Sequence, residues 1–551
     1  MKHSGACLLL LLLAACSSTS DSSPDASTDA STGADQSTSD ADAGPEPPIV
    51  THPTNILNNG GFEDGLMCYG QYEWGMDSSN VGTGYAFSLS TKSHGGTYAL
   101  QMSCVNAPDC GFPAKAAVEA NGFFTAPNQT YDVTIWSNCP PGDNGFFYTP
   151  TVPSGSFTSA FACTGDWAKN TFSFTTTATD DSVYYALYYA GTQTLLLDDL
   201  VITLGDGTVP EQTIKHPGTR NVKVQGTSYQ VDGAPYIPLG FYGIPASALA
   251  QAKQAGANAV AWGDPGCYNT SAERYADAAY EAGIDLVPES STTARLATPS
   301  VFPRVMTDFG HHLSEVAWYL DDEPDLPGSA VVYEPITPGV LASEYAAIHG
   351  ASTLPAAVML QQAHYSPPAV DQPYAPAMDV YMSEPYGSSL AGITQTQTVF
   401  STMTPRPVWL AEDDSDGAAL IVPKAYYGFT SGATGLFFFT WGAFVADGTL
   451  AAATQALTEL SSLSPVITST DVTSSVTAPS GVSFIARSYG GKTYVLAVNP
   501  SATNVTGAFS IASLTQGQTV TVQFESRTIA AAAGSFTDTF TGVSRHVYVI
   551  E

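Results

Sequence analysis

The chain has 551 residues, 44% of them hydrophobic and 11% aromatic, with 17 Lys and Arg against 50 Asp and Glu, a net charge of −33. That length exceeds a single hydrophobic core and divides into several domains. The charge argues against nucleic acid, phosphate-rich ligands and an anionic membrane surface as partners, and favours a neutral one.

Lys2 precedes the apolar run Leu8 to Leu13, which is too short to span a bilayer and is placed like a secretory signal. Leu13-Ala14-Ala15-Cys16 resembles the lipobox of bacterial lipoproteins. The resemblance implies cleavage before Cys16, so that residues 1–15 are a signal peptide, and acylation of the Cys16 sulfur as a lipid anchor. Ser17 in place of Asp implies the outer membrane or the cell surface of a bacterial envelope. Residues 16–53 are then a disordered stalk: 17 to 53 hold six Asp, one Glu and no Lys or Arg, a composition that buries too little to fold and extends by self-repulsion. Export makes disulfides expected among the six remaining cysteines. Cys104–Cys110 and Cys139–Cys163 are the pairings expected, although spacing does not fix connectivity. No CxxC or HxH spacing points to a catalytic metal, and no catalytic cofactor is expected.

From 54 to 205, short β-rich runs alternate with Gly, Asn and Asp turns, the pattern of an all-β sandwich. NILNNGGFEDG opens the segment, LLLDDLVIT closes it, and FTAPNQTYDVTIWSN and TGDWAKNTFSFTTTA lie between. The segment resembles the jelly-roll carbohydrate-binding modules attached to polysaccharide-degrading enzymes. The resemblance implies a structural calcium ion held by Glu63 and Asp199, oxygen donors of the type that calcium takes. Sugar rings stack their C–H faces on aromatic side chains, which makes Trp74, Tyr148, Trp167 and Tyr184 candidate glycan contacts. Tyr184 and Tyr188 share one strand face, Tyr185 and Tyr189 the other, and one of these sets belongs to the core.

Residues 206–465 change texture. A β-hairpin, VKVQGTSYQVDGAPY, leads into strand–helix units, and KQAGANAVAW and YEAGIDLVPE place Gly256 and Gly283 as helix C-caps. Eight apolar β runs follow: 236–242, 258–263, 285–289, 316–322, 356–362, 379–385, 407–414 and 435–442. Their spacing, about 29 residues, is that of a βα unit, and eight such units close a (β/α)8 TIM barrel. The unit after the fifth strand, HYSPPAVDQPYAP, offers little helix. The active face of such a barrel lies at the C-terminal ends of its strands, which here finish in Tyr242, Asp264, Glu289, Asp322 and Glu323, Gln361, Glu384, Glu412 and Trp441. A rim of carboxylates and aromatic rings suits glycoside hydrolysis, which uses two carboxyl groups.

Trp318 to Pro324, WYLDDEP, and PVWLAEDD around Glu412 resemble the strand-4 and strand-7 motifs of the clan A glycoside hydrolases. That resemblance implies Glu323 as acid/base, Glu412 as nucleophile, retention of the anomer, and Trp441 as the aromatic floor under the sugar. Asp322 stands where the family commonly has Asn. Tyr242, Asp264, Gln361, Tyr381, Glu384 and Tyr386 complete the expected substrate contacts, with Tyr381 or Tyr386 steadying the nucleophile. Residues 466–551 are again β-only, with a hairpin turning at Gly490-Gly491, and resemble the small β-sandwich that often follows a glycosidase barrel.

The expectation is therefore a multidomain, monomeric, surface-anchored retaining glycoside hydrolase acting on a neutral polysaccharide, built from a jelly-roll β-sandwich, a TIM barrel and a small C-terminal β-sandwich. The alternative is a non-catalytic glycan-binding or adhesin lipoprotein with an inactive barrel.

Overall fold

The computed structural model describes residues 47–57, 59–63, 69–71, 84–111, 116–149, 157–178, 182–262, 272–289, 311–325, 337–361, 369–386 and 389–551. The calls on Cys16, Trp74 and Asp264 lie outside the described residues, as does the side chain of Tyr184.

Two five-stranded antiparallel sheets form the N-terminal sandwich. One runs in the order Tyr69–Gln71, Ala116–Phe124, Ser182–Tyr189, Gly145–Thr149, Phe157–Ala160, and the other Tyr85–Ser90, Ala99–Cys104, Thr194–Leu204, Thr130–Asn138, Ala168–Thr175. Strict alternation in Thr130–Asn138 sends Tyr131, Val133 and Ile135 into the core. Tyr185 and Tyr189 lie in that core, whereas Tyr188 joins Phe146 and Tyr148 on the other face of its sheet. Cys104–Cys110 and Cys139–Cys163 are disulfides, as expected.

The barrel strands are β1 (Leu239–Tyr242), β2 (Ala259–Trp262), β3 (Asp285–Pro288), β4 (Trp318–Asp321), β5 (Ala356–Met359), β6 (Val380–Ser383), β7 (Val408–Glu412) and β8 (Gly435–Phe438). They form one parallel sheet in the order β3-β2-β1-β8-β7-β6-β5-β4. The bridges Leu286 to Glu315 and Glu289 to Tyr319 join β3 to β4 and close the ring. All eight runs read from the sequence are barrel strands, and they read as apolar runs because both faces of such a sheet are covered. Gly256 and Gly283 take φ of +93° and +71° at the ends of the first two helices, the left-handed conformation in which glycine costs least. Among the described residues between β5 and β6 the chain makes the short 3-10 turn Gln372–Ala377, with Pro376 inside it.

Tyr229 and Val231 of the leading hairpin join the side chains inside the barrel, and the Tyr229 hydroxyl donates to the Val316 carbonyl. The C-terminal region has a six-stranded and a three-stranded antiparallel sheet, with its hairpin turning at Gly490-Gly491, both at positive φ. It packs on the barrel through helix Ala418–Thr430, where Ser483 Oγ lies 3.0 Å from Thr430 Oγ1.

Candidate active site

Side chains alternate in and out along each barrel strand, so the phase of the interior residues decides which of the next ones reach the mouth. Val287, Tyr319, Ala357, Met359, Val380, Met382, Trp409, Ala411 and Phe437 fill the interior. In the same phase beyond them come Glu289, Gln361, Glu384, position 413 and Phe439. Tyr242 packs on the same interior cluster from β1.

Strand β4 departs from simple alternation. Tyr319 pairs with Ala357 but Asp321 pairs with Val358, so an extra residue is inserted between them, a β-bulge. Leu320 lies in the outer layer, and Val358, the partner of Asp321, does too. The bulge leaves Asp321 fully buried behind the strand and brings Asp322 round to the mouth, where the Tyr319 hydroxyl donates to its Oδ1. Glu323 follows at a φ of +49°, a left-handed conformation that is unusual for a residue with a side chain.

These turns bring Glu323 against Glu384. The Glu384 side chain is largely buried, and its carboxyl is pushed well above the ordinary carboxylate range. Burial is the largest cause, followed by its hydrogen bond with Glu323 and the charges of Asp322 and Glu323, while a hydrogen bond with Tyr386 works the other way. Burial and the neighbouring acids thus favour the protonated form of Glu384. Burial, and then the Asp322 charge, likewise raises the Tyr242 hydroxyl, with Glu384 and Glu289 adding to it. Burial and then Glu384 raise Tyr386. Beside these acids stands an aromatic wall: Phe439 is 45% exposed, its ring 5.6 Å from that of Tyr242 and 5.6 Å from that of Tyr386.

Three residues expected at the site lie elsewhere. Glu412 falls in the outward phase with Val408 and Leu410 of the outer layer. It is 1% exposed and its Oε2 lies 2.7 Å from Lys424 Nζ of helix Ala418–Thr430, with Asp416 Oδ2 3.1 Å from the same nitrogen. Burial outweighs Lys424 and pushes the Glu412 carboxyl up to about 7. The structure does not bring Glu412 to Glu323. Tyr381 is also outward: it stacks on Phe400 and donates to the Thr404 carbonyl, 2.9 Å. Trp441 opens the helix Trp441–Ala446 and packs edge-on against Phe241 in the outer layer, 5.1 Å between centroids. Phe439, two residues earlier, holds the exposed place. Gln361 lies two residues beyond the end of β5, its N–H donating to Asp325 Oδ1, 3.1 Å.

In the sandwich, Tyr148 packs edge-on against Tyr188, and Trp167 lies edge-on to His94, which stacks on Trp136 at 3.7 Å. Glu63 and Asp199 converge on the same loop. Glu63 Oε1 accepts the N–H groups of Thr97 and Tyr98, 2.7 and 2.9 Å, and Asp199 Oδ2 lies 2.6 Å from His94 Nδ1. Gly96 allows this approach, since a Cβ there would stand 2.2 Å from Glu63 Oε1. These bonds engage one oxygen of each carboxylate. Among the described residues no group of three or more His, Cys, Asp or Glu is set to hold a metal ion.

No family model matches the sequence, and no curated protein matches it. Similar solved structures include an α-amylase from Anoxybacillus, 10% identical over 55% of this chain and 89% of that one, TM-score 0.41. A GH30 endoxylanase from Clostridium papyrosolvens is 14% identical over 61% of this chain and 100% of that one, TM-score 0.39. A family 16 carbohydrate-binding module is 20% identical over 27% of this chain and 99% of that one, TM-score 0.20.

Proposed function

We propose that the protein is a retaining glycoside hydrolase whose working carboxyl groups are Glu384 and Glu323. The observation that carries this is the side-chain contact between the buried Glu384 and Glu323 at the C-terminal mouth of the barrel, beside Asp322 and the wall of Tyr242, Tyr386 and Phe439. Glycoside hydrolysis takes one protonated and one ionised carboxyl. Glu384 donates its proton to the leaving glycosidic oxygen while the Glu323 carboxylate attacks the anomeric carbon. Water, deprotonated by Glu384, then cleaves the glycosyl ester and retains the anomer. Retaining pairs stand about 5–5.5 Å apart and inverting pairs about 6.5–9.5 Å, so two groups in hydrogen-bond contact open least to become a retaining pair. This reverses the role that the clan A resemblance gives Glu323.

A substrate that is not a polyanion suits the charge of −33, and a neutral polysaccharide is proposed. The sandwich is proposed as its glycan-binding module, raising local substrate concentration, with calcium bound structurally between Glu63 and Asp199. Acylation at Cys16 and a place on the bacterial outer membrane or cell surface are proposed from Leu13 to Cys16. A 2-fluoro-glycoside should label Glu323, and NMR of the first product should show the starting anomer. Labelling of Asp413, or an inverted product, would overturn the assignment.

A further inference from the structure

The run that carries Asp322 and Glu323 into the mouth is held from behind. Asp321 and Asp325 turn into the layer outside the strands, buried at 0% and 6% exposure. There Asp325 meets Asp371, also 0% exposed, at the start of the turn Gln372–Ala377, and the charges of all three acids act on Tyr374 of that turn. Neither oxygen of Asp371 has a hydrogen-bond donor among the described residues. Asp325 Oδ1 accepts the Gln361 N–H from the end of β5, 3.1 Å. The Tyr374 hydroxyl donates to the Pro324 carbonyl, 3.3 Å, and the Tyr374 N–H donates to the Asp371 carbonyl, 2.9 Å. Pro324 and Asp325 directly follow Glu323. Two buried carboxylates facing each other cannot both ionise, whereas one shared proton satisfies both.

We propose that Asp371 is a positioning residue for Glu323: through one proton shared with Asp325 it bolts the segment Pro324–Asp325 to the end of β5 and so fixes the chain that presents Glu323 at the mouth. The proposal rests on the reading of Glu323 above. The Asp371 carboxyl is pushed up to about 8, by burial first and then by Asp325. The bridging proton is therefore present in neutral solution and lost as pH rises through about 8. Among the described residues the groups that face it are Asp325 from the β4 segment and Tyr374 from its own turn, on which the Asp321 charge also acts. Helix Pro338–Ala351 packs on that turn and brings buried Glu344, while Tyr345 and His349 of the helix are bound to Asp379.

The test uses the full chain. Amide exchange at Gln361 and along the end of β5, corrected for the intrinsic rate, is followed from pH 6 to 9.5 with kcat and KM, in the wild type, D371N and D371A. The asparagine amide donates permanently to Asp325, so D371N should keep Gln361 protection and kcat above pH 8, where the wild type loses both by about 10-fold or more. D371A should lack both at every pH. A D371N exchange profile that follows the wild type's would overturn the proposal, as would wild-type protection in D371A. If D371A does not fold, the comparison of D371N with the wild type decides alone. Exchange that behaves as expected in a protein that hydrolyses no glycan keeps the clamp and removes the glycosidase reading.

Discussion

Replacing Glu412 by glutamine separates the two roles open to that residue. As a nucleophile it would be indispensable, and its loss should cost several orders of magnitude in kcat. As the outward member of a buried pair it should cost almost no activity. The effect on stability follows from its carboxyl, raised by burial from 4.5 to about 7, which is worth about 3 kcal/mol. A carboxyl whose folded value lies above its unfolded one stabilises the fold fully below about 4.5 and loses that contribution as pH rises through about 7. Glutamine is always neutral, so E412Q should match the wild type near pH 4.5 and exceed it by up to about 3 kcal/mol at pH 8, roughly 6–12 °C in the barrel transition. Breaking a buried ion pair commonly costs about 3–5 kcal/mol because a charge is stranded. Lys424 is not stranded here, since Asp416 remains 3.1 Å from its nitrogen. Thermal melts at several pH values, with hydrolysis measured below the transition, test this directly. A folded E412Q without activity would refute the strand phase on which the active-site assignment stands.

Further tests separate wall from core. Phe439→Ala removes an exposed ring at the mouth and should lower kcat/KM about 10-fold, about 1.4 kcal/mol, without shifting the melt. Trp441→Ala empties an outer-layer site and should cost about 3–5 kcal/mol of stability while the folded fraction keeps its specific activity. Chelation should lower the sandwich transition, and E63Q should abolish that response; an identical melt with and without calcium would remove the ion from Glu63 and Asp199. Reduction of Cys139–Cys163, which closes a loop of 24 residues, should destabilise the sandwich by about 3 kcal/mol and leave catalysis at low temperature unchanged.

The architecture was legible because each part writes a different period into the sequence. Parallel strands buried on both faces appear as unbroken apolar runs, and glycines at 256 and 283 mark where helices stop. The choice of acids was less legible because it depends on phase. A slip of one residue carries a side chain to the opposite face of a strand, and Glu412 sits one position from the inward phase of Trp409 and Ala411. The small Ala411 between two large residues was the available clue. The eighth apolar run continues to 442 although its strand ends at Phe438, so the run alone does not show that Phe439 rather than Trp441 takes the exposed place. Strand β4 could not be phased by counting at all, since the bulge between Tyr319 and Asp321 follows from pairing with β5. It sends neighbouring acids to different places, Asp321 behind the sheet and Asp322 in front.

Tyr229 and Val231 stopper the far end of the cylinder, where Trp409 and Phe437 leave them no passage. A polymer can therefore not be threaded through the ring. On the function proposed above, a glycan chain would lie across the rim or dip one terminus into it, and the released piece would depart by the doorway through which the chain arrived. Traffic would then be two-way at a single gate, and sugar residues left in the cleft after cutting would compete with the next incoming stretch.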